Sequence, residues 1–90
     1  SLMAVVSHYQ KTKGFDFKTW WSSHGPRAMA EAKRLLFFFR KAGTEGAVAM
    51  ACEIITDTKA ESEQGGGWEW NLSTCFKRSP EWLSRKIKGK

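Results

Sequence analysis

His8, His24, Cys52 and Cys75 are the side chains best suited to hold a metal ion or attack a substrate. Their spacing supports neither use. No two of them share the short interval of a zinc site, and four scattered residues are not a ligand set. A cysteine and a histidine that work as a nucleophilic pair meet only in space, and nothing in the chain favours such a pair. His24 sits in "SSHGP", which reads as a turn ahead of a helix. "QGGGW" is not a phosphate loop: it lacks the Lys-Ser/Thr pair and precedes a strand-like stretch. The expectation is a non-catalytic chain, with no cofactor and no metal.

Recognition of charge is the better-supported chemistry. The stretch "KRLLFFFRK", Lys33 to Lys41, sets three phenylalanines between two pairs of basic residues. Successive helical positions point about 100° apart, so the three rings cannot share a face. Counted from Ala28, residues Met29, Ala32, Leu35, Leu36 and Phe39 fall in one arc, the expected core face. Phe38 lies at its margin, beside Glu31. Phe37 faces the other way, with Lys33 and Arg40 on one flank, Arg34 and Lys41 on the other, and Arg27 beyond. Nucleic-acid surfaces use this combination, because bases stack on the ring while Lys and Arg hold phosphates. The bland alternative is that another element or a second subunit covers Phe37.

A second basic group closes the chain: Lys77, Arg78, Arg85, Lys86, Lys88 and Lys90. It would add phosphate contacts, or serve only as a solubilising tail. Among the tryptophans, Trp20, Trp68 and Trp70 read as core and Trp21 as partly exposed.

The net charge of +6 is unevenly spread. Residues 1–41 carry a net +6, residues 42–76 a net −5, and residues 77–90 a net +5. Two basic segments flanking an acidic middle suit a polyanion held on one side of the molecule. They would also suit ends that merely balance the middle, within one chain or in a dimer. The composition is globular, with 41% hydrophobic and 13% aromatic residues. Ninety residues make one domain, 1–90. No apolar run approaches the roughly 18 residues of a membrane span. "LMAVV" is too short for a signal-peptide core. Two cysteines do not make a disulfide framework, so a reducing cytoplasm is expected. Ser1 and Leu2 ahead of Met3 read as an expression scar with no role in the fold.

The elements that must position these residues read as follows. Leu2, Val5, Val6 and Tyr9 fit a first helix closed by Gly14, although the β-branched residues also admit a strand. Asp16 is an N-cap for a short helix, about Phe17 to Ser23, with Phe15 and Trp20 as a hydrophobic staple. Pro26 opens a long helix to Ala42, which Gly43 would close. "WEWNLSTCF" alternates, with Trp68, Trp70, Leu72, Thr74 and Phe76 on one face, and predicts a strand. Its partner would be Val48–Thr56, joined through a flexible loop at 57–67. In such a hairpin a Cys52–Cys75 disulfide would break the register. Ser79 and Pro80 mark a final helix, frayed at 88–90.

The expected fold is therefore α+β: helix, short helix, long helix, β-hairpin, helix, with an all-α bundle as the alternative. The order of elements is similar to that of winged-helix DNA binders, an analogy of order from which no function follows. A helix-turn-helix around "RKAGTEG" does not work, because its second helix would carry Glu45, Glu53 and Asp57 and would repel phosphate.

The expected function is a small basic, nucleic-acid-binding domain that takes DNA or RNA. Its site residues would be Arg27, Lys33, Arg34, Phe37, Arg40, Lys41, Lys77, Arg78, Arg85 and Lys86. The alternative is a protein-binding module that uses Phe37, with Phe38 and Trp21, against an acidic partner or a second copy of the chain. Small basic proteins of phage and mobile elements fit either class.

Overall fold

Asp16 starts the longest helix of the chain. Its carboxylate accepts hydrogen bonds from the Thr19 amide at 3.2 Å and the Thr19 hydroxyl at 2.8 Å, satisfying a helix-start donor. Those bonds hold the Asp16 carboxyl below the usual carboxylate range. Phe15 stacks on Trp20 with ring centres 5.6 Å apart, forming the expected staple. The computed structural model describes residues 1–88 as four helices: α1 Leu2–Lys13, α2 Phe17–Lys41, α3 Ala47–Gln64 and α4 Leu72–Lys88. None of them is long and apolar enough to cross a membrane.

The fold is all-α, and the expected α+β arrangement is wrong. No strand occurs among the described residues, so there is neither hairpin nor wing. In α3 the buried side chains are Ala51, Ile54, Ile55, Thr58 and Ser62, spaced three or four apart. That helical period outweighs the alternation of Val48, Met50, Cys52 and Ile54. In α4 the buried set is Leu72, Cys75, Ser79 and Leu83, again at helical spacing. Phe76, expected inside a hairpin, is exposed, and so is Trp68. A strand needs a partner for its backbone groups, so once 48–56 is helical the case for 68–76 fails with it.

Ser79 does not start a helix. It is buried inside α4, and its hydroxyl donates to the Cys75 carbonyl at 2.7 Å. The start of α4 is Asn71. Its side-chain oxygen accepts from the Thr74 amide at 3.0 Å, while the Thr74 hydroxyl accepts from the Asn71 amide at 3.1 Å. This is a reciprocal capping pair.

The short helix and the long helix are one. α2 runs through Gly25 and Pro26 without a break. The Trp21 indole lies over Gly25, and a Cβ there would come within 2.7 Å of the ring. Gly25 is thus a packing position and not a terminator. Pro26 withholds one helical amide, the one due to the Ser22 carbonyl, and its φ otherwise fits a helix. Residues 57–64, expected as loop, belong to α3, leaving Gly65–Asn71 as the connection to α4. Gly66 and Gly67 take φ of 97° and 82° there, which glycine adopts without steric cost. Of the tail expected to fray, Lys88 ends α4, and residues 89 and 90 lie outside the described residues.

α2 packs against each of the other helices, and α3 does the same. The core they enclose includes Val5, Val6, Leu35, Leu36, Phe39, Ile54, Ile55 and Leu72. Tyr9 joins it through edge-on contact with Trp70, ring centres 5.7 Å apart. Leu2, credited with no fold role, belongs to α1 and packs against the core.

Candidate nucleic-acid interface

The site begins with where α2 stops. Gly43 turns left-handed at φ 74°. Its amide donates to the Arg40 carbonyl at 3.1 Å, and the Thr44 amide donates to the Phe39 carbonyl at 3.3 Å. This crossed pair ends the helix just past Lys41. Arg40 and Lys41 therefore occupy the last turn, where the helix dipole favours cations.

Burial of Ala28, Ala32, Leu35, Leu36 and Phe39 fixes the rotation of α2. Met29, expected among them, is half-buried. With that face inward, Phe37 must point outward, and its side chain is 63% exposed. Phe39 is fully buried, edge-on to Phe38 and Trp82 with ring centres 5.2 and 5.8 Å away. Phe38 is half-buried at the margin. Lys33, Arg34, Arg40 and Lys41 are all exposed around Phe37. None of the four makes an ion pair among the described residues. The Lys41 ammonium lies 5.8 Å from the centre of the Phe37 ring.

Two open apolar depressions flank Phe37. One, of about 460 Å³, runs between the ring and Leu2 of α1, over Leu36. The other, of about 310 Å³, runs between the ring and Phe76 of α4, over Phe38. Arg34 and Phe37 border both. Leu2 and Phe76 are parts of this surface that the sequence did not reveal. In the sequence Leu2 reads as part of a scar, and Phe76 as an inward residue of a strand.

The remaining expected site residues lie elsewhere. Arg27 stands ten positions before Phe37, roughly 15 Å along the helix. It faces Glu31 at 4.0 Å and borders a different depression, of about 580 Å³, with Tyr9, Trp20, His24 and Asn71. Lys77 is exposed and follows Phe76 on α4. Arg78 forms an ion pair with Glu61 and donates to the Thr58 hydroxyl at 2.6 Å. Lys86 forms an ion pair with Glu53 and lies over the Trp82 ring at 5.2 Å. Arg85 pairs with Glu81, one turn earlier on α4, at 2.7 Å. The basic end and the acidic middle thus neutralise one another in part, while the cations around Phe37 have no such partner among the described residues.

The groups considered for catalysis form no cysteine–histidine hydrogen bond among the described residues. His8 hydrogen-bonds the Thr56 hydroxyl at 2.8 Å, and His24 hydrogen-bonds the Ser23 hydroxyl at 2.9 Å. Burial pushes the Cys52 thiol up, and it pushes the Cys75 thiol up to about 11. A raised pKa leaves little thiolate, the nucleophilic form, at neutral pH. Among the described residues no group of His, Cys, Asp and Glu side chains is arranged to hold a metal ion. Comparison with family models, with curated proteins and with solved structures finds no match for this chain.

Proposed function

We propose that this chain is a small, non-catalytic nucleic-acid-binding domain that meets its polymer with the exposed face of α2. One observation carries the reading. Lys33, Arg34, Arg40 and Lys41 surround an outward ring and lack ion pairs among the described residues, although the same chain pairs Arg78, Arg85 and Lys86 with acids. A surface that keeps four unpaired cations together has a positive potential suited to phosphates. Lys77 is exposed and follows Phe76, which borders the same surface. Arg27, on the same helix, faces Glu31 and contributes less. Arg78, Arg85 and Lys86, being paired, contribute less. Contacts of this kind position a backbone more than they specify a sequence. A reducing, cytoplasmic setting fits the free thiols Cys52 and Cys75.

The test is salt-titrated binding to DNA and to RNA. Affinity should fall with salt at a slope of about −0.7 to −0.9 per phosphate neutralised. Lys33→Ala with Arg40→Ala should flatten that slope by about 1.4 to 1.8. Binding that ignores salt, or no binding to either polymer, overturns the reading.

A second reading is favoured by the apolar depressions beside Phe37, which would also suit a protein partner or a second copy of the chain. The acids a second copy would need are partly engaged, since Glu53 and Glu61 already hold Lys86 and Arg78. A dimer in solution that Phe37→Asp makes monomeric, with no nucleic-acid binding, would favour this reading instead.

A further inference from the structure

We infer that the α2 face takes single-stranded nucleic acid in preference to duplex, with Phe37 as the ring on which an unpaired base stacks. This rests on the proposal that the face meets a polyanion.

The shape of the surface separates the two forms of the polymer. A recognition helix must stand clear of its neighbours to enter a major groove. α2 does not: Leu2 of α1 closes the depression on one side of Phe37, and Phe76 of α4 closes the other. Residues of two neighbouring helices thus border Phe37 on both sides. A duplex resting on this surface would present sugars and phosphates to Phe37, and the ring would lose water without gaining an apolar partner.

An unpaired strand meets the same surface differently. Its bases are free to turn out, and each offers a flat apolar face. The depressions have apolar floors, Leu36 on one side and Phe38 on the other, and cationic rims, Lys33 and Arg40 on one side and Lys41 on the other. Arg34 and Phe37 form the wall between them. A flat apolar ring tethered to an anion is the complement of each. The Arg34 guanidinium adds a second planar group for stacking. Between Arg27 and Lys41 there is no Asn or Gln to read an adenine edge. Stacking on a ring accepts any base, so preference for the strand's form should exceed preference for its sequence.

The experiment is fluorescence anisotropy on the whole chain, with a labelled mixed-sequence oligonucleotide offered as single-stranded DNA, as single-stranded RNA and as DNA duplex at one salt concentration. The single strands should bind tighter than the duplex. Phe37→Ala should weaken single-strand binding by about 5- to 100-fold and leave duplex binding within about twofold. Phe37→Trp, which keeps a stacking face, should retain single-strand binding. Circular dichroism of each variant verifies the fold, and Phe37 is exposed enough for the changes to be tolerated. If the duplex binds as tightly as the strands, or Phe37→Ala leaves strand binding unchanged, this inference falls while the polyanion reading stands. If no polymer binds, both fall. A Phe37-dependent dimer in place of binding points to a protein interface and also overturns both.

Discussion

Arg78 on α4 holds Glu61 on α3 in an ion pair and, with the same guanidinium, donates to the buried Thr58 hydroxyl at 2.6 Å. Two further contacts repeat the relationship. The Trp82 indole donates to Asp57 at 2.8 Å, and Lys86 pairs with Glu53. Going up α3 in steps of four, from 53 to 57 to 61, the partners go down α4 in steps of four, from 86 to 82 to 78. Side chains four apart share a helix face, so this is an antiparallel ladder along one seam. It explains why the basic end and the acidic middle do not translate into two open charged surfaces. The seam uses both, and the α2 cations remain.

Arg78→Ala should therefore act on stability before it acts on binding. The change leaves the buried Thr58 hydroxyl without its donor and Glu61 without its cation. Loss of a partly buried charged hydrogen bond costs about 1–3 kcal/mol. Urea denaturation should show that loss as a lower midpoint at unchanged slope. The salt dependence of nucleic-acid binding should change less than in Lys33→Ala.

Asn71 offers a test of where α4 begins. If the helix starts there, Asn71→Ala removes the acceptor for the Thr74 amide and should cost about 1 kcal/mol. Asn71→Asp keeps an acceptor and should cost little. Under a strand reading of 68–76, neither substitution at an outward position would matter much. Thermal unfolding of the two variants distinguishes the cases.

What could be read from the sequence was what local chemistry decides. Gly14, Asp16, Phe15 with Trp20, and Gly43 each act within a turn of their own position, and each sits where the sequence placed it. The inward arc of α2 and the outward Phe37 follow from helical geometry alone. The failures share a cause. Residues 48–56 and 68–76 contain apolar residues at both period 2 and period 3.6, and tertiary packing decides which set is buried. Proline and serine misled for a related reason. Pro26 and Pro80 sit inside helices, each at the loss of one amide bond. Ser79 bonds back to its own helix instead of capping a new one. The depressions beside Phe37 were not legible at all, because each needs a residue from a different helix, Leu2 or Phe76.

The adjacent pair Gly25 and Pro26 should respond to alanine in opposite directions. Pro26 is exposed, so Pro26→Ala removes no packing and restores an amide that can reach the Ser22 carbonyl. It should stabilise the fold by about 1–3 kcal/mol, since proline is that much less favourable than alanine in a helix interior. Gly25→Ala would gain up to about 1 kcal/mol from propensity alone. Here the new methyl meets the Trp21 ring at 2.7 Å, and that ring is itself stacked on Phe17 with centres 5.4 Å apart. Displacing it should outweigh the gain, for a net loss of about 1–2 kcal/mol. Tryptophan fluorescence should shift in Gly25→Ala and not in Pro26→Ala.

Alkaline pH should destabilise this chain through two buried groups, Tyr9 and Cys75. Burial, then Cys75 and Glu31 nearby, push the Tyr9 hydroxyl up from 10.0 to about 12. Burial pushes the Cys75 thiol up from 9.0 to about 11, partly opposed by a hydrogen bond with Thr58. Unfolded, both groups would lose their protons near ordinary values, while the folded chain keeps them longer. Above about pH 9 the native state therefore holds more protons than the unfolded state, and stability falls as pH rises. The contribution is complete below pH 9 and lost progressively to about pH 12. A shift of two units corresponds to about 2–3 kcal/mol for each group. Urea midpoints measured from pH 8 to pH 11 should fall in the native chain. Cys75→Ala should flatten the earlier part of that fall and Tyr9→Phe the later part. Parallel curves for all three proteins would mean that neither proton is held by the fold.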